Sequence, residues 1–281
     1  MASSLSGYDL HTHSLHSDGT TPPGEIVREA ASLGLAGIAL TDHDTVTGWP
    51  EAREAAADAG IEFLPGVEIT TRFGHRSTHL LAYGVDVSRG GLAEELLAVR
   101  DARHSRAQEM VGRLAADYDI AWETVLAEGD DRTVGRPHIA DALVTAGYYP
   151  DRSTVFAEIL HPRSPYYVPT YATDTAEAIE LVREAGGVAV LAHPAASRQR
   201  GPVADTALEE LADAGLWGIE LEHPENREDW LTGLREVALR RGLVTTGASD
   251  FHGAGKPNRL GDRTTDGETF AQIRSLVAIP R

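Results

Sequence analysis

Gly37-Ile38-Ala39-Leu40-Thr41-Asp42-His43-Asp44 is the stretch on which the fold turns. Four small or apolar residues stop at a polar run that sets a histidine between two aspartates, and an amphipathic stretch over 51–59 follows. The same order recurs along the chain. Tyr8-Asp9-Leu10 leads into His11, the run 61–67 into Glu68, and 187–192 into His193-Pro194. The run 218–221 leads into Glu222-His223, and 243–248 into Ser249-Asp250-Phe251-His252. Helical periodicity fills the gaps at 23–33, 174–185, 204–214 and 229–241. Strands alternating with helices of this length predict βα units, and strands apolar throughout predict a parallel sheet covered on both faces. Chemistry-prone residues gather at the strand ends. In a closed β/α barrel those ends converge on one mouth, whereas a doubly wound sheet spreads them, so a barrel is expected.

One segment reverses the order. His79 precedes the run 80–84 instead of following it, and the turn Gly74-His75-Arg76 separates 69–73 from 77–83. That pattern predicts a hairpin that brings His79 back to the level of Glu68. From 86 to about 171 the strand rhythm ceases, and helices are expected at 92–118, 122–128, 137–146 and 154–160. The expected division is a barrel domain made of residues 1–85 and 172–281, with 86–171 as a helical cap beside the active site.

The 281 residues suffice for one full core, and 42% hydrophobic with 24% charged content is ordinary for a globular chain. A net charge of −18 argues against duplex DNA as partner, because polyanion binding rests on many Lys and Arg contacts. A small phosphorylated substrate stays open, since bound cations reverse the local field. With no cysteine, disulfides and thiolate sites are excluded, and any metal must sit on nitrogen and oxygen. No apolar run approaches the ~20 residues of a membrane span. The first seven residues lack the basic and apolar parts of a secretory signal, so no membrane association and a cytoplasmic location are the expectation.

His11-Thr12-His13 would turn two imidazoles to one side, since residues two apart in an extended chain share a face. Alone the pair says little. Beside Asp18, His43, Glu68, His79, His193, Asp250 and His252 it becomes a set of six histidines, two aspartates and a glutamate, nearly all at strand ends. Buried imidazoles facing one another bring no structural benefit without a cation between them. Arg136 stands before Pro137, a favoured first helical residue, so its guanidinium is expected beside a helix N-terminus that favours anions, with His138 close by. Arg103 and Arg106 on the long helix, and Arg198 and Arg200 after the His-Pro pair, are further candidates for binding substrate phosphate. His16, His75, His104, His161 and His223 fit no ligand pattern and are expected at the surface or in loops.

His11-x-His13 with Asp18-Gly19, Thr41-Asp42-His43-Asp44, Gly66-x-Glu68, His193-Pro194 and Asp250-x-His252 together resemble the ordered motifs of the PHP (polymerase and histidinol phosphatase) superfamily. The similarity spans nearly the whole chain. It is strongest to the nucleoside 3′,5′-bisphosphate phosphatase and RNase AM branch, whose insertion the long helix and Gly135-Arg136-Pro137-His138 resemble. The resemblance implies a distorted seven-stranded, TIM-like barrel and a trinuclear centre. His11, His13, Glu68 and Asp250 would hold the first ion, a bridging Glu68 with His79 and His193 the second, and Asp18, His43 and His252 the third. It implies Mn²⁺, with Zn²⁺ or Fe²⁺ compatible with the same donors. The implied reaction is hydrolysis of a nucleotide phosphate monoester, releasing inorganic phosphate, by a metal-bound hydroxide on the Glu68-bridged pair. Glu68, Asp18 and His193 would be catalytic, with Asp18 able to shuttle the proton. Short oligoribonucleotides fall within the same chemistry. One departure bears on the substrate: where that branch carries Gly-Arg after the His-Pro pair, this chain has Ala195-Ala196-Ser197-Arg198-Gln199-Arg200. Histidinol-phosphate phosphatase is the alternative activity. An amidohydrolase would need a bridging lysine from a middle strand, where this chain offers Glu68 and keeps its only lysine at Lys256. A scaffold fused to a polymerase would need a partner domain.

Overall fold

The fold is a computed structural model that describes residues 7–127 and 133–277. In chain order its strands are β1 (Tyr8–Asp9), β2 (Gly37–Leu40), β3 (Glu62–Phe73), β4 (Arg76–Tyr83), β5 (Thr173–Asp174), β6 (Val188–Leu191), β7 (Gly218–Glu222) and β8 (Val244–Gly247). The helices are α1 (Pro23–Leu33), α2 (Trp49–Ala59), α3 (Leu92–Leu114), α4 (Trp122–Ala127), α5 (Arg136–Thr145), α6 (Arg152–Glu158), α7 (Thr175–Glu184), α8 (Asp205–Asp213), α9 (Leu231–Arg241) and α10 (Gly267–Leu276).

Seven strands run in the order β1-β2-β3-β4-β6-β7-β8, with the short β5 paired to β3 off that path. A parallel bridge between Thr12 and Phe251, with His13 N–H donating to Phe251 O, brings the two ends of the sheet together into a nearly closed barrel. The hairpin is the distortion: β4 lies antiparallel to both β3 and β6, while the other main pairings are parallel. His79 pairs with Thr70, not with Glu68, because the two-residue turn at Gly74-His75 is centred one residue later than a level return requires. Glu68 and Thr70 share a face of β3, so the two side chains still meet diagonally.

Burial follows the sequence pattern. All four residues of β2 and of β6 are buried, as helix-covered strands must be. Inside the barrel Leu10, Leu64, Leu81 and Val190 pack together, and the Tyr83 hydroxyl, fully buried, donates to Leu10 O at 2.8 Å. Each such aliphatic side chain contributes roughly 1.5–3 kcal/mol by leaving water. Helix ends carry their own stop signals: Pro23 opens α1, Gly34 closes it with φ 80°, and the Asp174 carboxylate caps α7 by accepting from Ala176 and Glu177 N–H.

Helices α3 to α6 surround a separate apolar cluster that includes Met110, Leu114, Ile139, Leu143 and Val155. Among the described residues, polar contacts tie this segment to the barrel mouth. Arg103 reaches Asp44 and Thr70, Arg152 donates to Asp18 O at 2.9 Å, and Thr133 N–H donates to His16 O at 3.2 Å. α3 ends at Leu114, four residues short of the expected end, where the chain turns. Of the expected 122–128 helix, Glu128 lies outside the described residues. Among the described residues, no helix is long and apolar enough to cross a membrane.

Candidate metal centre

The strand ends deliver nine side chains to one place. His11 and His13 follow β1, His43 follows β2, Glu68 lies within β3 and His79 within β4, His193 follows β6, and Asp250 and His252 follow β8. Asp18 arrives on the loop after His13. That loop is held by Asp42, whose carboxylate accepts from Ser14 N–H, the Ser14 hydroxyl and the Ser17 hydroxyl at 2.6–2.7 Å. It turns at Gly19, where a Cβ would stand 2.2 Å from His13 O, so no other residue fits without moving the chain. All nine side chains are buried except His79, which is 22% exposed.

Glu68 is the hub. Its Oε2 lies 3.2 Å from His11 Nε2, 3.0 Å from His13 Nε2 and 3.3 Å from His43 Nδ1, and its Oε1 lies 2.8 Å from His79 Nδ1 and 3.1 Å from His193 Nε2. Asp250 Oδ1 closes one side, 3.5 Å from His11 Nε2 and 3.4 Å from His13 Nε2. On the other side Asp18 Oδ1 is 3.2 Å from His252 Nε2, and Asp18 Oδ2 is 3.9 Å from His43 Nε2. Local backbone is unusual at three of these strand ends: Asp44, His193 and Asp250 all hold positive φ, at 54°, 30° and 54°.

Several features fit divalent cations better than a hydrogen-bonded core. His11 Nε2 and His13 Nε2 approach to 3.1 Å, a separation natural for two nitrogens converging on one ion. Asp18 Oδ1 and His43 Nδ1 are buried with no hydrogen-bond partner among the described residues. Five sets of three donor residues lie within metal-binding reach, among them His11/His13/Asp250, His13/Asp18/His43 and His43/Glu68/His79.

The charges are strongly coupled. Burial raises the Glu68 and Asp18 pKa values, but the surrounding imidazoles outweigh it and hold both well below the usual carboxylate range. Burial lowers His13, yet Asp250 and Glu68 pull it up to about 9. His252, buried and facing Lys256, drops to about 4. A site that packs this many ionisable groups out of water is a functional candidate on physical grounds.

Five of the six substrate candidates make the following contacts. Arg198 Nη2 stands 3.4 Å from both ring nitrogens of His193, and its Nη1 pairs with Glu225. Arg103 donates to Asp44 Oδ2 at 3.1 Å and to the Thr70 hydroxyl at 2.6 Å, leaving its Nε buried without a partner among the described residues. Arg136, the first residue of α5, donates to Leu160 O at 3.0 Å and lies over the Phe156 ring at 5.2 Å. His138 Nδ1 accepts from Gly135 N–H at 3.1 Å, which occupies one of the amides at that helix start. Arg106 donates to Val168 O, and its guanidinium covers Tyr167, as does that of Arg136. Burial and the neighbouring Arg136 push Arg106 down to about 9.

His223 corrects the expectation of a surface residue. It is buried, with Nε2 3.3 Å from Asp250 Oδ2. Two more side chains escaped sequence reasoning. Glu220, fully buried on β7, lies 3.0 Å from His11 Nδ1, and Lys256, the chain's only lysine, lies 2.5 Å from Asp250 Oδ2. A glutamate between Ile219 and Leu221, inside the otherwise apolar run 218–221, was the available signal. A bulge between Glu220 and Glu222 separates their faces, so Glu222 is exposed.

The PHP domain family matches residues 9–124. A metal-dependent phosphoesterase from Bifidobacterium adolescentis superposes with a TM-score of 0.95 at 42% identity, over 97% of each chain. The 3′,5′-nucleoside bisphosphate phosphatase of Chromobacterium violaceum is 34% identical over 93% of each sequence. The 5′-3′ exoribonuclease Rnm of Salmonella typhimurium is 30% identical over 87% of this chain and 85% of its own.

Proposed function

The chain belongs to the PHP-domain family and is a metal-dependent phosphoesterase, and from that premise we propose that it removes one phosphate from a small nucleotide carrying two, a nucleoside 3′,5′-bisphosphate. The observation that supports this substrate is a group of guanidiniums beside the candidate metal centre, on a chain of net charge −18. Arg106 and Arg136 lie over the same Tyr167 ring, at 5.0 and 5.9 Å, so these two cations crowd together. Among the described residues neither Arg106 nor Arg136 pairs with a carboxylate, so this positive charge is free to meet a second phosphate.

Under this reading His11, His13, Glu68 and Asp250 would hold one ion, Glu68, His79 and His193 a second, and Asp18, His43 and His252 a third. Mn²⁺ is the proposed occupant of this mixed imidazole and carboxylate set. Bound ions supply Lewis acidity, lowering the pKa of water toward ~7 and offsetting charge on the phosphate oxygens. The chain's own residues supply the rest. Glu68 holds five imidazoles in register, Arg198 stands beside the His193 ring where an anion would enter, and Asp18 would relay a proton. Segment 86–171 would act as a cap that carries Arg103, Arg106 and Arg136 over the mouth. Its ties to the barrel hold those cations in place.

The test is a comparison of manganese-loaded protein on adenosine 3′,5′-bisphosphate, AMP, histidinol phosphate and a 5′-phosphorylated oligoribonucleotide. The bisphosphate should show the highest kcat/KM. Equal or faster turnover of histidinol phosphate would overturn the substrate assignment while leaving the phosphoesterase intact. His193→Ala should abolish turnover of all four.

A further inference from the structure

We propose that Glu220 is a positioning residue of the metal centre: one carboxylate oxygen selects which nitrogen of His11 faces the ion, and the other fixes the backbone of His193. The inference rests on the reading that divalent ions bind here. It concerns a residue outside the nine proposed ligands.

Glu220 Oε1 lies 3.0 Å from His11 Nδ1, and Glu220 Oε2 accepts the His193 N–H at 2.9 Å. Both ends of the contact are fully buried, so water cannot substitute. An ionised carboxylate only accepts, so Nδ1 of His11 must carry the hydrogen. That leaves Nε2 directed at the point between His13 Nε2, Glu68 Oε2 and Asp250 Oδ1, where a cation would sit. The second contact matters because His193 holds φ at 30°, a backbone state that side chains disfavour and that surrounding contacts must enforce. One carboxylate thus governs two candidate ligand residues assigned to different ions.

Glu220 is placed with His11 and His223 in a group close enough to hold a metal itself. The hydrogen bonding argues otherwise. Both Glu220 oxygens are engaged, and His223 Nδ1 accepts from Glu225 N–H at 3.0 Å. With Nδ1 accepting, the ring hydrogen belongs on Nε2, which lies 3.3 Å from Asp250 Oδ2 without a hydrogen bond among the described residues, and that nitrogen has no lone pair to offer an ion. Glu220 acts through His11 and His193.

Glutamine has nearly the same shape but one acceptor where two donors converge. In Glu220→Gln either the His193 N–H faces an amide NH₂, or His11 must accept at Nδ1 and carry its hydrogen on Nε2, where it can no longer bind an ion. Zn²⁺ binding by calorimetry and bound-metal counting should show one ion weakened about 10–100-fold in the variant, as partners of ligating histidines usually cost. The melting temperature of EDTA-treated variant reports any purely structural effect, which would leave the affinities unchanged. A second measurement uses wild-type protein only: ¹⁵N–¹H correlation spectra of the Zn²⁺-loaded chain should show His11 protonated at Nδ1. Variant affinities within twofold of wild type, or a His11 hydrogen on Nε2, would overturn the proposal. Wild-type protein that takes up no Zn²⁺ would overturn the metal reading itself, a distinguishable result.

Discussion

Arg103→Met isolates the contact that ties the helical segment to the barrel. Methionine keeps the aliphatic stem and deletes the guanidinium, so Asp44, fully buried, loses its only ion-pair partner among the described residues. Breaking a buried pair from one side costs about 3–5 kcal/mol. Asp44 keeps hydrogen bonds from Thr70 N–H at 2.7 Å and the Thr70 hydroxyl at 2.8 Å, which places the expected loss at the low end, ~3 kcal/mol. That is roughly a hundredfold in the folding equilibrium. Burial already raises the Asp44 pKa with Arg103 opposing, so the cost is that of an uncompensated charge. In an Asp44→Asn background the charge is gone, and Arg103→Met should cost under about 1.5 kcal/mol, close to a lost hydrogen bond. Urea unfolding in EDTA, followed by tryptophan fluorescence, gives the four free energies of the cycle. Additive effects, with a coupling below about 0.5 kcal/mol, would refute the buried pair and leave Arg103 as a substrate contact alone.

Glu68→Gln removes the charge at which five imidazoles meet, and should lower kcat by well over the 10–100-fold typical of outer partners, with metal uptake falling in parallel. Arg136→Ala should raise KM for the bisphosphate about 10–100-fold, the worth of a charge-assisted hydrogen bond, and leave AMP turnover nearly unchanged; equal losses on both would place Arg136 in structure only. EDTA should abolish activity, and Mn²⁺ added back at a hundred times its Kd should stabilise the fold by about 2.7 kcal/mol, read as a rise in Tm. A Tm indifferent to Mn²⁺ would count against ions bound to the folded state.

The barrel was readable because most of its parallel strands sit in short, largely apolar runs with a polar stop, a pattern that depends only on neighbours in sequence. α1 matches its expected span because Pro23 and Gly34 mark its ends. α10 was missed although Asp266 caps it, since its segment stands outside the alternation of apolar runs and helices read from the sequence. β5 has two residues, too few for any periodicity to register. Site legibility divides the same way. Histidines and acids at strand ends announce themselves, whereas Glu220 matters only because it meets His11 from 209 positions away. Lys256 was noticed as a lone lysine but its contact with Asp250 follows from the loop after β8, which sequence spacing does not describe.

The left-handed backbone at Asp44, His193 and Asp250 sets a limit on how this protein can be improved. Glycine would relax each position, since only glycine adopts such angles freely. At Asp44 that relief would be outweighed by orphaning the buried Arg103, and at His193 and Asp250 it would discard a side chain of the proposed metal centre. Thermal robustness and turnover are written against each other at those last two residues, so a hardened variant must find its gains elsewhere.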